Sequence, residues 1–368
     1  MTRDIPPFRA DHVGSLLRPA ELKEARARRE RGMIEVEEFR AIENRAIEEV
    51  IAKQATIGLR SATDGEFRRA MWHFDFLEGL DGVEGFQAAH GIAFKGGIET
   101  AHKGLRVTGK IGFSTHPMLD HFRFLREHTR VTPKMTIPSP SVLHFRGGRR
   151  AIDPSVYPDM DGFYHDLAAA YRKAVEAFAA AGCRYLQLDE VNLAYLCDEE
   201  QRQMLRERGD DPDRLPTIYA DMINTAIGSR PADMIITMHL CRGNFRSSWI
   251  ATGGYEPIAE ILFQQIGANG YFMEFDTERA GNFEPLRFLP KGKTVVLGLV
   301  TSKQGALESK EELERRIGEA AKHTDLDQLC LSPQCGFAST EEGNVLAEGE
   351  QWAKLSRIVE VAGEVWGG

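Results

Sequence analysis

A chain of 368 residues suits one (β/α)₈ barrel with insertions or two ordinary domains, and 42% hydrophobic with 27% charged residues excludes collagen-like, disordered and disulfide-scaffold classes. A formal charge of −9, from 55 acidic against 46 basic side chains, gives no clustered basic footprint for nucleic acid or an anionic membrane. The five cysteines, Cys183, Cys197, Cys241, Cys330 and Cys335, have no regular spacing, and the first residues lack the apolar core of a signal peptide, so reduced thiols and a cytoplasmic location are expected.

In chain order, residues 20–56 carry Val36, Phe39, Ile42, Ala46, Ile47, Val50 and Ile51 in a three-to-four residue rhythm within a charged background, which predicts amphipathic helix. Short apolar runs then recur, most followed by a helical pattern, the signature of alternating β and α units. Eight core strands are expected, at about 9–14, 60–66, 132–138, 184–190, 234–241, 270–276, 294–300 and 327–334. Residues 86–131 break the rhythm, being too polar and glycine-rich for a barrel wall, and read as an inserted β-hairpin. No linker or low-complexity tract divides the chain, so a single α/β domain over 1–368, a TIM barrel with an inserted β-hairpin, is the economical reading. An open doubly wound sheet is the alternative, but the turn HVGSLLRP lacks the glycine fingerprint of a dinucleotide site.

Catalytic groups in a barrel belong at the C-terminal ends of its strands. Those ends carry His12 to Ser15, Asp64 to Glu66, Asp189-Glu190, His239 to Cys241, Glu274 to Asp276 and Ser332 to Gly336. His239 and Cys241 lie two apart on one strand, so both point the same way. With Glu274 and Cys335 they form a borderline-soft donor set suited to tetrahedral zinc. The same pattern also fits a barrel whose cysteines are inert packing, and Cys183, Cys197 and Cys330 read as structural.

Ordered along the chain, HVGS, TDGEF, LQLDE, TMHLCRGNF, YFMEFD, LGLV and LSPQCG resemble the catalytic barrel of the cobalamin-independent methionine synthases. The resemblance covers nearly the whole chain and implies a Zn²⁺ ion on His239, Cys241, Glu274 and Cys335. It also implies Ser15, Glu66 and Asp189 as holders of the amino-acid end of homocysteine. The chemistry agrees, since an ammonium needs carboxylates and a carboxylate needs hydroxyl or amide donors. The family's folate-stacking tryptophan falls on Phe145, and its acid histidine falls near Thr301 to Lys303, where no histidine stands. Lys303, if its pKa is lowered, and His73 in MWHFDF are therefore the candidate catalytic acids. Trp72, Phe74 and Phe76 beside His73 either wall a donor pocket or fill space under a helix.

What the resemblance implies is a zinc-dependent methyltransferase of methionine biosynthesis, moving a methyl group to homocysteine from methyltetrahydrofolate or a corrinoid-type carrier. The family's complete enzymes also carry a second, N-terminal barrel, which this chain does not match. An alternative is an alkyl transferase acting on another thiol, as in the epoxyalkane:coenzyme M transferases. A sulfonate thiol would prefer cations such as Arg68, Arg69 or Arg242. A metal-free binding barrel is the non-enzymatic reading. The expected partners are small molecules, with no nucleic acid and no membrane, and a homo-oligomer fits a helix-rich barrel.

Overall fold

The computed structural model describes residues 3–367. Its strands are β1 (Ser61–Ala62), β2 (Asp81–Gln87), β3 (Ala93–Phe94), β4 (Ile98–Glu99), β5 (Lys103–Gly112), β6 (Thr132–Pro138), β7 (Tyr185–Glu190), β8 (Ile235–Leu240), β9 (Gly270–Glu274), β10 (Thr294–Val300) and β11 (Leu329–Pro333). Seven of them form one parallel sheet in the order β1-β6-β7-β8-β9-β10-β11. Strands buried on both faces suit a sheet wrapped by helices, and the run LGLV and its neighbours are buried throughout. The sheet curls into the barrel-like α/β fold expected from the sequence. Segment 9–16 fills the remaining gap: Ala10 bridges Leu331 in parallel, the Leu16 N–H donates to the Gly65 carbonyl, and the Thr63 hydroxyl donates to the Gly14 carbonyl.

Six of the expected strands lie within two residues of their observed bounds. The first, expected at 9–14, is reduced to the Ala10 bridge. Asp11 explains this locally, because its carboxylate accepts from the Phe8 and His12 N–H groups and diverts them from a ladder. The second, expected at 60–66, stops at Ala62 because the chain turns through Gly65 and Glu66, at φ 66° and 61°.

The insertion differs from the expected 86–131 hairpin. β2 pairs antiparallel with β5, β3 pairs with β4 at the tip, and Met118–His128 is a helix. That helix buries Met118, Phe122 and Leu125, one face at helical spacing, and packs on the barrel against β6. The irregular hairpin is therefore 81–112, and its apolar tip is docked: Lys95 N–H donates to the Trp249 carbonyl, the Ser248 hydroxyl donates to the Lys95 carbonyl, and the Phe94 and Phe245 rings lie 5.4 Å apart.

The expected amphipathic stretch at 20–56 is two helices, Ala20–Glu30 and Val36–Thr56, the second burying Ala46, Ile47, Val50 and Ile51. Among the described residues no helix is long and apolar enough to cross a membrane.

Candidate active site

All strands of the sheet run parallel, so their polar C-terminal ends gather on one rim. Asp189 and His239 are paired across β7 and β8, Glu274 ends β9 level with Gly298, and Cys335 follows β11 directly. Alternation along β8 sends His239 and Cys241 to the same side. The result is a buried cluster in which His239 Nε2 lies 3.4 Å from Cys335 Sγ, and Cys335 Sγ lies 3.4 Å from Cys241 Sγ. The ligand atoms of His239, Cys241 and Cys335 all fall within 4.8 Å of one another.

A tetrahedral zinc with bonds of about 2.0 to 2.3 Å separates its ligand atoms by about 3.3 to 3.8 Å, so this donor set fits the ion. The Gly243 N–H donates to Cys241 Sγ at 3.3 Å, while the contact with Cys335 and burial push the Cys241 thiol well above its ordinary range. Contact with the Cys241 sulfur holds the Cys335 thiol well below its ordinary range. Gly243 has φ 95°, and a Cβ there would press on Ile250 N at 2.9 Å and the Phe94 ring at 3.2 Å. A glycine is thus required where the rim loop turns under the hairpin.

Glu274, the fourth ligand expected, is buried beside this cluster but outside it. One carboxylate oxygen accepts from the Arg242 backbone N–H at 2.8 Å and the other faces Arg279 at 3.2 Å. Burial pushes its pKa up, yet Lys303, Arg279 and the Arg242 N–H outweigh burial and hold it below the ordinary value. It is therefore an ionised carboxylate.

A cavity opens over the cluster, lined by Ser15, Glu66, Asp189, His239, Cys241 and Cys335 and roofed by Ile92 and Phe94 of the hairpin. The expected substrate residues are thus brought together. Glu66 Oε1 accepts from the Thr136 hydroxyl at 2.7 Å, and Oε2 faces Arg69 at 3.4 Å. Burial raises the pKa of Glu66. Burial and the nearby Glu66 charge push Asp189 up to about 7, while Gln187 Nε2 donates to Asp189 Oδ1 at 2.7 Å. Ser15 Oγ accepts from the Ala338 N–H at 3.4 Å. Glu66 keeps its left-handed backbone because Asp64 Oδ1 accepts from its N–H and Arg18 and the Arg69 N–H donate to its carbonyl.

The two candidate acids separate. Lys303 does not line this cavity; its ammonium donates to Gly243 O, Asn244 Oδ1 and Ser248 O at 3.3 to 3.4 Å. It is therefore corrected from a catalytic acid to a tie beneath the rim loop, since its protons are committed to oxygens of that loop and it does not itself reach the cavity. His73 does line the cavity and is fully buried, and burial lowers its pKa well below the ordinary value. Its ring is neutral, so it is no cationic acid. Phe145 lies outside the lining and packs edge-on against Tyr195 at 5.7 Å. Arg68, Arg69 and Arg242 also stand outside it, with Arg68 on Glu43, Arg69 on Glu66 and Arg242 stacked 4.3 Å from the Tyr255 ring.

Sequence reasoning missed the residues that aim these groups. Gln187 donates to both Val13 O and Asp189, and Thr136 ties Glu66 to β6. The signal was present for Gln187: it is a polar residue two positions before Asp189 in the strand YLQLDE, so it shares that face.

Residues 8–364 match the family profile described as cobalamin-independent synthase, catalytic domain. The uncharacterized protein YxjH of Bacillus subtilis is 52% identical over 362 residues, covering 98% of this chain and 95% of that one. The methionine synthase of Pyrococcus abyssi is 24% identical over 360 residues, covering 97% and 94%. A crystal structure from Listeria monocytogenes, of a protein provisionally assigned as a vitamin-B12-independent methionine synthase, superposes with TM-score 0.80 at 43% identity and full coverage of both chains. With fold, rim cluster and profile in agreement over nearly its whole length, this chain belongs to the cobalamin-independent methionine synthase family, as a member built on the catalytic domain.

Proposed function

We propose that this protein methylates the thiol of homocysteine, using a zinc ion held by His239, Cys241 and Cys335 with Glu274 as the fourth, exchangeable arm. The observation that carries the reading is the convergence of three buried soft donors within 4.8 Å on the floor of a cavity whose wall presents Glu66 and Asp189. Bound zinc supplies a deprotonated, sulfur-centred nucleophile at neutral pH.

The chain's own groups do the rest. Glu66 and Asp189 receive the ammonium of the amino acid, and Ser15 with the adjacent backbone amides receives its carboxylate. The hairpin residues Ile92 and Phe94 keep water from the reacting sulfur. In the transfer the thiol gives up its proton to solvent and the S–CH₃ bond forms. The donor–methyl bond breaks, and the donor leaves with that electron pair. Glu274 would help hold the ion, and with the Arg242 N–H and Arg279 as partners it would not be an unpaired buried charge when it did not.

An alkyl transferase acting on a sulfonate thiol has weaker support, because Arg68, Arg69 and Arg242 do not line the cavity and two carboxylates, Glu66 and Asp189, face it against the one arginine, Arg146. The test is zinc-loaded protein with homocysteine, assayed for methionine with methyltetrahydrofolate and methylcobalamin in parallel. Product with either donor is expected, and none with both rejects the reading.

A further inference from the structure

The cavity has a wall that the homocysteine reading leaves unused. His73 is fully buried, lines the cavity, and neither ring nitrogen has a hydrogen-bond partner among the described residues. Its ring is held between Trp72 and Phe74, at centroid separations of 4.6 and 4.3 Å. A buried polar group left without a partner is destabilising, so such a ring marks a place where something from outside completes the bonding.

Arg146 stands beside it. Among the described residues it is the one lysine or arginine in the cavity lining, its Nε is buried without a partner, and no carboxylate pairs with it. Its guanidinium lies 5.9 Å from the Tyr195 ring centroid and bonds the Tyr195 hydroxyl, a neutral partner that leaves its charge uncompensated and other N–H donors available.

The two ends of the cavity differ in sign. The charges acting on His73 are Arg146 and Lys103, both cationic, and Lys103 is already paired with Glu78. An α-amino acid carries its ammonium and carboxylate on one carbon, so a thiol substrate anchored at Glu66 and Asp189 keeps both charges at that end. The Arg146 end is left for a different molecule, and its apolar roof of Ile92 and Phe94 strengthens any charge pair formed beneath it.

We propose that Arg146 and His73 form a second subsite, which holds an anionic group, a carboxylate in the first instance, of the methyl donor. Arg146 supplies the charge with paired N–H donors, and the neutral His73 ring adds one donor and one acceptor to orient the group. The proposal rests on the methyltransferase reading and deepens it by stating what the donor must carry.

The experiment is calorimetric titration of the protein, with homocysteine present, by methyltetrahydrofolate and by dimethylsulfonioacetate, each beside its carboxyl methyl ester. At least one acid is expected to bind about tenfold or more tightly than its ester. Arg146→Gln should abolish that preference, Arg146→Lys should keep part of it, and homocysteine binding measured alone should be unchanged in both variants. The idea is overturned if acids and esters bind alike, if none of the probes binds, or if the preference survives Arg146→Gln. It is also overturned if homocysteine loses affinity as much as the donor does, since Arg146 then serves the thiol substrate, or if 2-mercaptoethanesulfonate replaces homocysteine in an Arg146-dependent way. Failure of the methyltransferase reading looks different: no methionine forms while the preference for acid over ester persists.

Discussion

Cys241 and Cys335 are 94 positions apart in the chain, yet their sulfur atoms lie 3.4 Å from one another. One follows β8 and the other follows β11, so the curl of the sheet brings them together. Cys335→Ala should weaken zinc binding by about 100-fold or more while the far-ultraviolet circular dichroism and cooperative melt persist, because the change removes a metal donor and only one buried sulfur atom. Metal analysis after dialysis checks this, and full zinc content in the variant would reject Cys335 as a ligand.

Asp189 should matter to the amino acid and not to the metal. Asp189→Asn keeps the hydrogen bond from Gln187 but removes a charge that faces the cavity. Homocysteine affinity is expected to fall roughly 10- to 100-fold with zinc content unchanged. Calorimetry and metal analysis on the same sample decide it, and equal losses of both would contradict the substrate role.

Burial, then the nearby Glu66 charge, push Asp189 up to about 7 from 3.8, and the sign of two pH effects follows. Only the ionised carboxylate attracts an ammonium, so binding of homoserine, which has no thiol to titrate, should tighten about tenfold between pH 6 and 8. The folded protein retains a proton that the unfolded chain releases above about pH 4, so this group costs native stability as pH rises from 4 through 7. Asp189→Asn should therefore flatten the binding profile and stabilise the fold by about 1 to 3 kcal/mol at pH 8, with little gain near pH 4. Denaturant melts at the two pH values measure the second effect.

Gly336 sits where the last strand passes the first segment. A Cβ there would fall 2.0 Å from Ser15 Oγ, while the Phe337 N–H is bonded to the Ser15 carbonyl and holds the two segments together. Gly336→Ala should cost about 1 to 3 kcal/mol by overpacking, and adding Ser15→Ala should recover most of it. Thermal melts of the single and double variants provide the check; a neutral Gly336→Ala would mean that the contact relaxes freely.

Inside the barrel, Lys134 Nζ lies 3.4 Å from Asp11 Oδ1 with both side chains fully buried, and Tyr185 donates to the other carboxylate oxygen at 2.8 Å. Lys134→Met should destabilise by about 3 to 5 kcal/mol, because Asp11 is left as an uncompensated charge. Pairing it with Asp11→Asn should restore a large share, which urea unfolding would show.

The period of the fold and the residues of the candidate site were legible from local rules alone. Six buried strands with β-branched and leucine-rich runs could be read because strands covered by helices on both faces must be apolar throughout, as in β10. His239 and Cys241 could be paired because alternation along a strand is a local rule. How far those groups converge is set by long-range packing. It separated Glu274 from the three soft donors, since whether a carboxylate turns to a metal or to Arg242 and Arg279 depends on neighbours 5 and 32 positions away. It removed Lys303 from the cavity by tying its ammonium to a loop about 60 residues earlier. It also laid the hairpin tip over the rim and brought His73 and Arg146, 73 positions apart, to one cavity. Electrostatic roles of this kind are sums over non-local distances, which no local periodicity encodes.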